Sequence, residues 1–404
     1  MSQRCTRLAV LGLSLVTAFA AAARAQTAPA QPPVESMPVH IGPIGLAPSV
    51  SITDVGIDSN VFNDTENPQR DFSATIVPRL LARLRMRRLF FSYGSASDLV
   101  YFHKFKSERS ANTSTDVRLD ADLGRLQPFV LAGWLATKQR MNAELDKRAP
   151  RTQRTLGAGT RLLVASRTAI IATARRQEVA FDPNVEFRGV ELAHTLNSRS
   201  DSGEIAVQLV LTPLTTFGVA ASVQQDRFDH SPERNADTFR ILPAFQFDPT
   251  SLLRGTVAVG YRKFRPLSPE LPDYSGLLVQ TTVGYTLLGR MRFDLDVQRD
   301  VQYSYEETEP YYLATGGRLT VTQQLFGNLD VQALGGRQTL SYRAAGVDGA
   351  TRRDTAELVG AGLGYRIRDN TRLAVNWEYS RRQSALNQRQ YEKRRVLASL
   401  TFGS

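Results

Sequence analysis

The sequence predicts an all-β fold: a transmembrane antiparallel β-barrel of about 18 strands, with short periplasmic turns and long external loops. Three observations carry this expectation. From Pro48 onward, apolar and polar residues alternate with a period of two, in segments long enough to cross a bilayer. The connections between these segments alternate between tight and long. Composition excludes the competing classes. The 404 residues are 42% apolar and 22% charged, and no run after residue 25 approaches the roughly 20 apolar residues of a spanning helix. A single cysteine excludes a disulfide scaffold and a Cys-based zinc protein.

The chain opens with an export signal. Arg4 and Arg7 precede the apolar stretch Leu8 to Ala23, and Ala23-Arg24-Ala25 is a small-residue cleavage site. Cleavage between Ala25 and Gln26 is expected to remove residues 1–25 as a signal peptide. Cys5 and three arginines leave with it, which takes the formal charge from +11 to +8. Residues 26–47 are rich in Ala, Pro and Gln and lack periodicity, so they are expected to form a flexible periplasmic leader. The outer-membrane barrel is expected over 48–404.

Within that region Met291, Phe293, Leu295 and Val297 alternate with Arg292, Asp294, Asp296 and Gln298. Leu373, Val375, Trp377 and Tyr379 alternate likewise with Arg372, Ala374, Asn376 and Glu378. A helix is excluded, because a period of two spreads apolar residues all around it. Tight turns rich in Gly, Pro, Asn and Asp fall at 123–126, 165–167, 212–215, 248–251, 288–290, 326–328 and 368–370, with a less distinct one at 86–88. Nine long polar connections separate the remaining segments. The expected strands are 48–58, 72–85, 89–102, 114–123, 126–137, 153–164, 168–180, 200–211, 216–227, 238–247, 252–263, 275–287, 290–304, 312–325, 329–342, 354–367, 371–382 and 391–402. An even count is what a single-chain bacterial barrel requires. The pattern leaves the phase of 126–137 and 168–180 open and predicts a bulge at Gly335-Gly336. Tyr261, Tyr285, Tyr303, Tyr305, Tyr365, Trp377, Tyr379 and Phe402 are expected in interfacial aromatic girdles. A soluble sandwich or propeller fits less well, because its strands usually run to five or six residues.

The segment Gly56-Ile57-Asp58-Ser59-Asn60-Val61-Phe62 resembles the G-x-D-x-N-V-F opening of the first hairpin in the second putative β-barrel porin family. The resemblance covers that motif and the strand layout of 48–404. It implies an outer-membrane barrel of Gram-negative bacteria, connected with polysaccharide secretion or with passive transport, since such proteins are often encoded in exopolysaccharide or capsule operons. It supplies no catalytic residues. The chain departs from the usual barrel ending: Phe402 is followed by Gly403-Ser404, which displaces the terminal aromatic that the assembly machinery reads.

Chemistry-bearing motifs are sparse. His40, His103, His194 and His230 are scattered, and none has metal-ligand spacing, so no metal, cofactor or catalytic site is expected. Ser110 or Ser198 beside His103 or His194 is the one hydrolase pairing on offer, and nothing in the spacing recommends it. Asp58, Asn60, Asn63 and Asp64 supply oxygens for a divalent cation or for Asx turns, of which turns are favoured. The charges are more informative. A charge facing lipid costs about 2–4 kcal/mol at mid-membrane, so alternation projects charges inward. The lumen-lining set expected to form a solute or polymer path is Arg118, Arg240, Arg254, Arg262, Arg292, Asp294, Asp296, Arg318, Arg366 and Arg372, with Arg79, Arg83, Arg161 and Arg382 also projected inward. One reading is a cross-lumen ion-pair lattice that stiffens the wall. The other is recognition of carboxylate, phosphate or sugar hydroxyls by arginine. The basic residues are spread over all strands without an aromatic-laced patch, so no nucleic acid is expected.

The expected function is a non-catalytic barrel associated with exopolysaccharide biosynthesis or export. The alternatives are a general porin for small hydrophilic solutes and, less favoured, an outer-membrane hydrolase. Expected partners are outer-membrane lipid, the barrel assembly machinery, and polysaccharide or export-complex proteins.

Overall fold

The computed structural model describes residues 37–402 apart from Asp348 and Asp369. The expected signal peptide, residues 26–36 of the expected leader and Gly403-Ser404 lie outside the described residues. The alternating segments form eighteen long strands: β1 (Ile44–Asp58), β2 (Asp71–Met86), β3 (Leu89–Phe102), β4 (Ser110–Ala121), β5 (Leu126–Thr137), β6 (Arg151–Ala165), β7 (Thr168–Phe181), β8 (Ser198–Thr212), β9 (Thr215–Phe228), β10 (Ala236–Phe247), β11 (Leu253–Pro266), β12 (Tyr274–Leu287), β13 (Met291–Tyr303), β14 (Tyr311–Gln324), β15 (Leu329–Arg343), β16 (Arg353–Arg368), β17 (Thr371–Gln383) and β18 (Tyr391–Phe402). Each pairs antiparallel with its sequence neighbours. β18 returns to β1, with Val50 opposite Phe402 and Asp58 opposite Arg395, so the sheet closes on itself. Closure is what lipid demands, because an open edge would leave backbone groups unsatisfied in hydrocarbon.

Side chains sort by alternation. Leu156, Val223, Val130, Leu363 and Val375 are exposed on the outer wall, while Arg262, Leu278 and Ala258 are buried on the inner one. The turn at 288–290 uses the left-handed backbone: Leu288 and Gly289 have φ of 51° and 66°, the successive positive values of a primed turn, which the Arg290 N–H closes on the Leu287 carbonyl.

Several expectations need correction. The leader predicted over 26–47 is shorter, because Val39–Ile41 pairs with the start of β1 and β1 itself begins at Ile44. Its pairing partner extends to Leu84, and backbone hydrogen bonding continues past the point where side-chain alternation fades. No register shift occurs at Gly335-Gly336. Shifts instead lie near the turns at Leu163–Ala165, Val210–Thr212 and Arg366–Arg368, and in β1 between Thr53 and Gly56. Tyr303 and Tyr305 do not join an aromatic girdle. Pairing between β12 and β13 stops at Val279–Arg299, and the loop-side end of β13 turns inward. Tyr303 then donates to Asp226 at 2.8 Å, and Tyr305 is buried edge-on to Phe187. The phases left open resolve with Phe129 and Leu131 of β5 and Arg175 of β7 inward. The inner face of β5 is apolar too, which erased its alternation.

The seam depends on one glycine. A Cβ on Gly56 would lie 1.9 Å from the Val396 carbonyl oxygen, whereas one on Gly335 would meet nothing within 4 Å. Gly56→Ala is expected to lower stability by about 1–3 kcal/mol through overpacking, and Gly335→Ala is expected to cause no loss. Urea titration followed by the heat-modifiable shift of the folded band measures both. Equal midpoints for the two variants would show that the seam tolerates the clash.

Candidate functional site: the lumen and its external seal

The ten predicted lumen residues all lie on the inward-facing set of their strands, and most are spoken for by neighbours on the wall. Arg118 pairs with Asp120 at 2.6 Å, and its guanidinium lies 4.1 Å from the Phe129 ring centroid. Arg254 and Arg292 share Asp294, at 3.2 and 2.6 Å. Asp296 accepts a hydrogen bond from Thr282 at 2.9 Å. Arg262 pairs with Asp300 and donates to Thr238. Arg240 donates to Gln224 at 2.7 Å, and Arg372 donates to Asp330 at 3.0 Å. The expected cross-lumen lattice is not formed among the described residues: these ion pairs run along a strand or over one intervening strand, as in Arg254–Asp294, Arg262–Asp300 and Arg372–Asp330, and not across the bore. Arg318 lies opposite Asp296 in register, and Arg366 opposite Arg372, but neither side chain forms an ion pair or hydrogen bond among the described residues. Arg161 has none either, and its Nε is buried without a partner.

The external mouth holds what sequence reasoning missed. Residues 138–150, the loop between β5 and β6, cross the bore. Leu145 and Ala149 are buried against Phe181, Leu192, Leu196, Phe228 and Tyr305, so a hydrophobic cluster forms between loops at the mouth. The helix Leu192–Leu196, on the loop before β8, supplies two of these residues.

On the near side the loop is tied to the G-x-D-x-N-V-F segment. Arg140 and Arg148 both donate to the Val61 carbonyl, at 2.8 and 3.2 Å, and Asn63 donates to Asp146 at 2.6 Å. On the far side the Ala143 carbonyl accepts from Arg382 of β17, which also pairs with Asp354 at 2.6 Å. Glu144 accepts from Ser304 at 2.9 Å and lies 3.5 Å from Arg389. Arg389 in turn contacts Tyr342, Tyr305 and Glu306.

The first-loop oxygens weighed for a cation are engaged in this framework. Asp58 pairs with Lys393 at 2.8 Å and accepts from the Asn60 amide. Asn60 accepts from the Asp64 amide, and Asp64 from those of Glu66 and Asn67, as Asx turns do. His194 and His230, distant in sequence, stack with ring centroids 5.3 Å apart. Among the described residues no serine hydroxyl donates to the ring of His103, His194 or His230.

Glu144 is 1% exposed. Burial pushes its carboxyl up to about 7 from an ordinary 4.5, against the pull of Arg389 and the Ser304 hydroxyl. A carboxyl with a raised pKa in the seated loop favours seating below its free value and opposes it as pH rises through the seated one. Loop 138–150 is therefore expected to hold most firmly near pH 4.5 and to loosen through pH 7. Single-channel conductance should rise between pH 5 and 8, and Glu144→Gln should flatten that rise. The same rise in both proteins would place the titrating group elsewhere.

The family described as putative β-barrel porin 2 matches residues 31–403. No curated protein matches the chain. Among solved structures, the chain is similar to the outer-membrane protein OpdK of Pseudomonas aeruginosa, at 10% identity and a TM-score of 0.48 over 88% of this chain and 98% of that one. It is similar to OccK3 (OpdO) of the same organism at 11% identity, with a TM-score of 0.47 over 88% and 95%. A BenF-like porin from Pseudomonas fluorescens Pf-5 gives 9% identity and a TM-score of 0.49 over 89% and 99%.

Proposed function

This chain belongs to the putative β-barrel porin 2 family, and we propose that it is a diffusion channel for small hydrophilic solutes that favours anions. The observation that carries this reading is the imbalance on the inner wall. The carboxylates Asp120, Asp294, Asp300, Asp330 and Glu378 are each paired with an arginine, and Asp296, opposite Arg318 in register, accepts from Thr282, whereas Arg161, Arg318 and Arg366 form no side-chain ion pair or hydrogen bond among the described residues. These three occupy the middle and turn-side parts of β6, β14 and β16. A confined bore with low-dielectric walls focuses such a field on passing solutes. The loop across the mouth supports small solutes over polymers. An association with exopolysaccharide export rests on the sequence resemblance alone, because a polymer would have to displace the contacts of residues 138–150.

Planar-bilayer recording of the purified protein in a salt gradient tests this reading. The reversal potential is expected to report anion preference. Changing Arg161, Arg318 and Arg366 together to glutamine should lower the anion-to-cation permeability ratio about two-fold or more. Folding should be retained, because no ion pair is broken. Cation preference in the unmodified protein, or unchanged selectivity in the triple variant, would overturn the reading.

A further inference from the structure

The outer wall is not uniformly convex. Across β4 to β11 the lipid-facing surface encloses a groove of about 1350 Å³. Its shape follows from one row of cross-strand neighbours. In register, Val130, Ala158, Ala174, Gly203, Val223 and Phe239 lie side by side on successive strands. The middle three are small and the flanks are large, so the surface dips at Ala158, Ala174 and Gly203. Towards the turns, Ala172 and Ala221 lie on either side of Ile205 and prolong the small-residue floor. The flanking side chains stand clear, with Leu156 61% and Val223 58% exposed.

The next row towards the external loops changes character. Arg176, Asp201, Gln225, Asp237 and Arg265 succeed one another there. Counting the outward-facing charges on the loop-side halves of β6 to β11, the cations are Arg154, Arg176, Arg199, Arg227, Lys263 and Arg265. The carboxylates are Glu178, Asp201 and Asp237. Six against three leaves an excess of three positive charges. Asp201 is shared between Arg176 and Arg199, at 2.6 and 3.4 Å, and Arg265 reaches Asp273 only at 3.9 Å. The Lys263 ammonium has no partner among the described residues.

We propose that this groove seats a phosphate-bearing, multiply acylated lipid of the external leaflet, with acyl chains along the small-residue floor and phosphates on the cationic row. Two physical requirements meet here. A depression in a lipid-facing wall must be filled by flexible hydrocarbon, because an unfilled gap forfeits dispersion contacts. Surplus cations at the level of the lipid headgroups attract anionic ones, as basic pockets on membrane proteins do.

The probe is diphosphoryl lipid A added to the detergent-purified full barrel, followed by native mass spectrometry, with phosphatidylethanolamine as the comparison lipid. One retained diphosphoryl lipid A per barrel is expected, held at least about ten-fold more tightly than phosphatidylethanolamine. Ala174→Trp, which fills the floor, should abolish retention. Lys263→Gln with Arg265→Gln should weaken it about ten-fold, while monophosphoryl lipid A should fall between the two. Heat-modifiable migration establishes that each variant is folded. Equal retention by the unmodified protein and both variants would overturn the proposal, because the lipid would then be merely annular. A barrel dimer that Ala174→Trp breaks, with no lipid retained, would also overturn it and assign the face to a second copy.

Discussion

Everything in this molecule follows from the requirement that a sheet in lipid have no free edge. Backbone N–H and C=O groups that find water in a soluble protein must find one another here. The first strand therefore has to meet the last, and the meeting is close enough that Gly56 packs directly on the backbone of Val396. Once the ring is closed, alternation leaves apolar side chains to the lipid and charges to the bore. The inner wall is then polar whatever the protein does, and about half of the arginines projected into it are paired with carboxylates on the same wall. Arg161, Arg318 and Arg366 are left without a side-chain partner among the described residues.

A closed ring has no conventional interior, so the large buried side chains gather elsewhere. Leu145, Leu192 and Tyr305 pack at the external mouth, between loops. This is where the protein resembles a soluble domain, with a hydrophobic cluster, buried arginines and a nearly inaccessible carboxylate. The wall sets the bore, and this loop core lies across its outer end.

Legibility in the sequence tracks the range of the interactions. All eighteen strands could be read, because each is specified by its own period of two and its own turn residues. Phase was lost where both faces became apolar, as in β5, whose Phe129 and Leu131 point inward beside Val130 and Trp134 pointing outward. The expected bulge at Gly335-Gly336 failed because a glycine pair breaks an apolar pattern without breaking the register. Tyr303 and Tyr305 were misplaced because the inward turn of β13 depends on lost pairing with β12, which no local pattern records. The lumen set was legible as an orientation. Which arginines are paired was not, since Arg254 meets Asp294 and Arg372 meets Asp330 across strands far apart in sequence. The crossing loop was invisible for the same reason: Glu144 and Arg389 are 245 positions apart.

The tethers of that loop carry a consequence for biogenesis. Its near anchor, Val61, follows the end of β1, where Asp58 is held by Lys393 of β18. Its far anchors include Arg382 on β17. Both therefore rely on strands from the two ends of the chain, and the complete seat comes into being only when the terminal strands have met. A nascent barrel still open at its seam would lack part of the latch, so occlusion of the mouth is timed to the last step of construction. The loop that narrows the opening is thus fully held only in a barrel whose seam is closed.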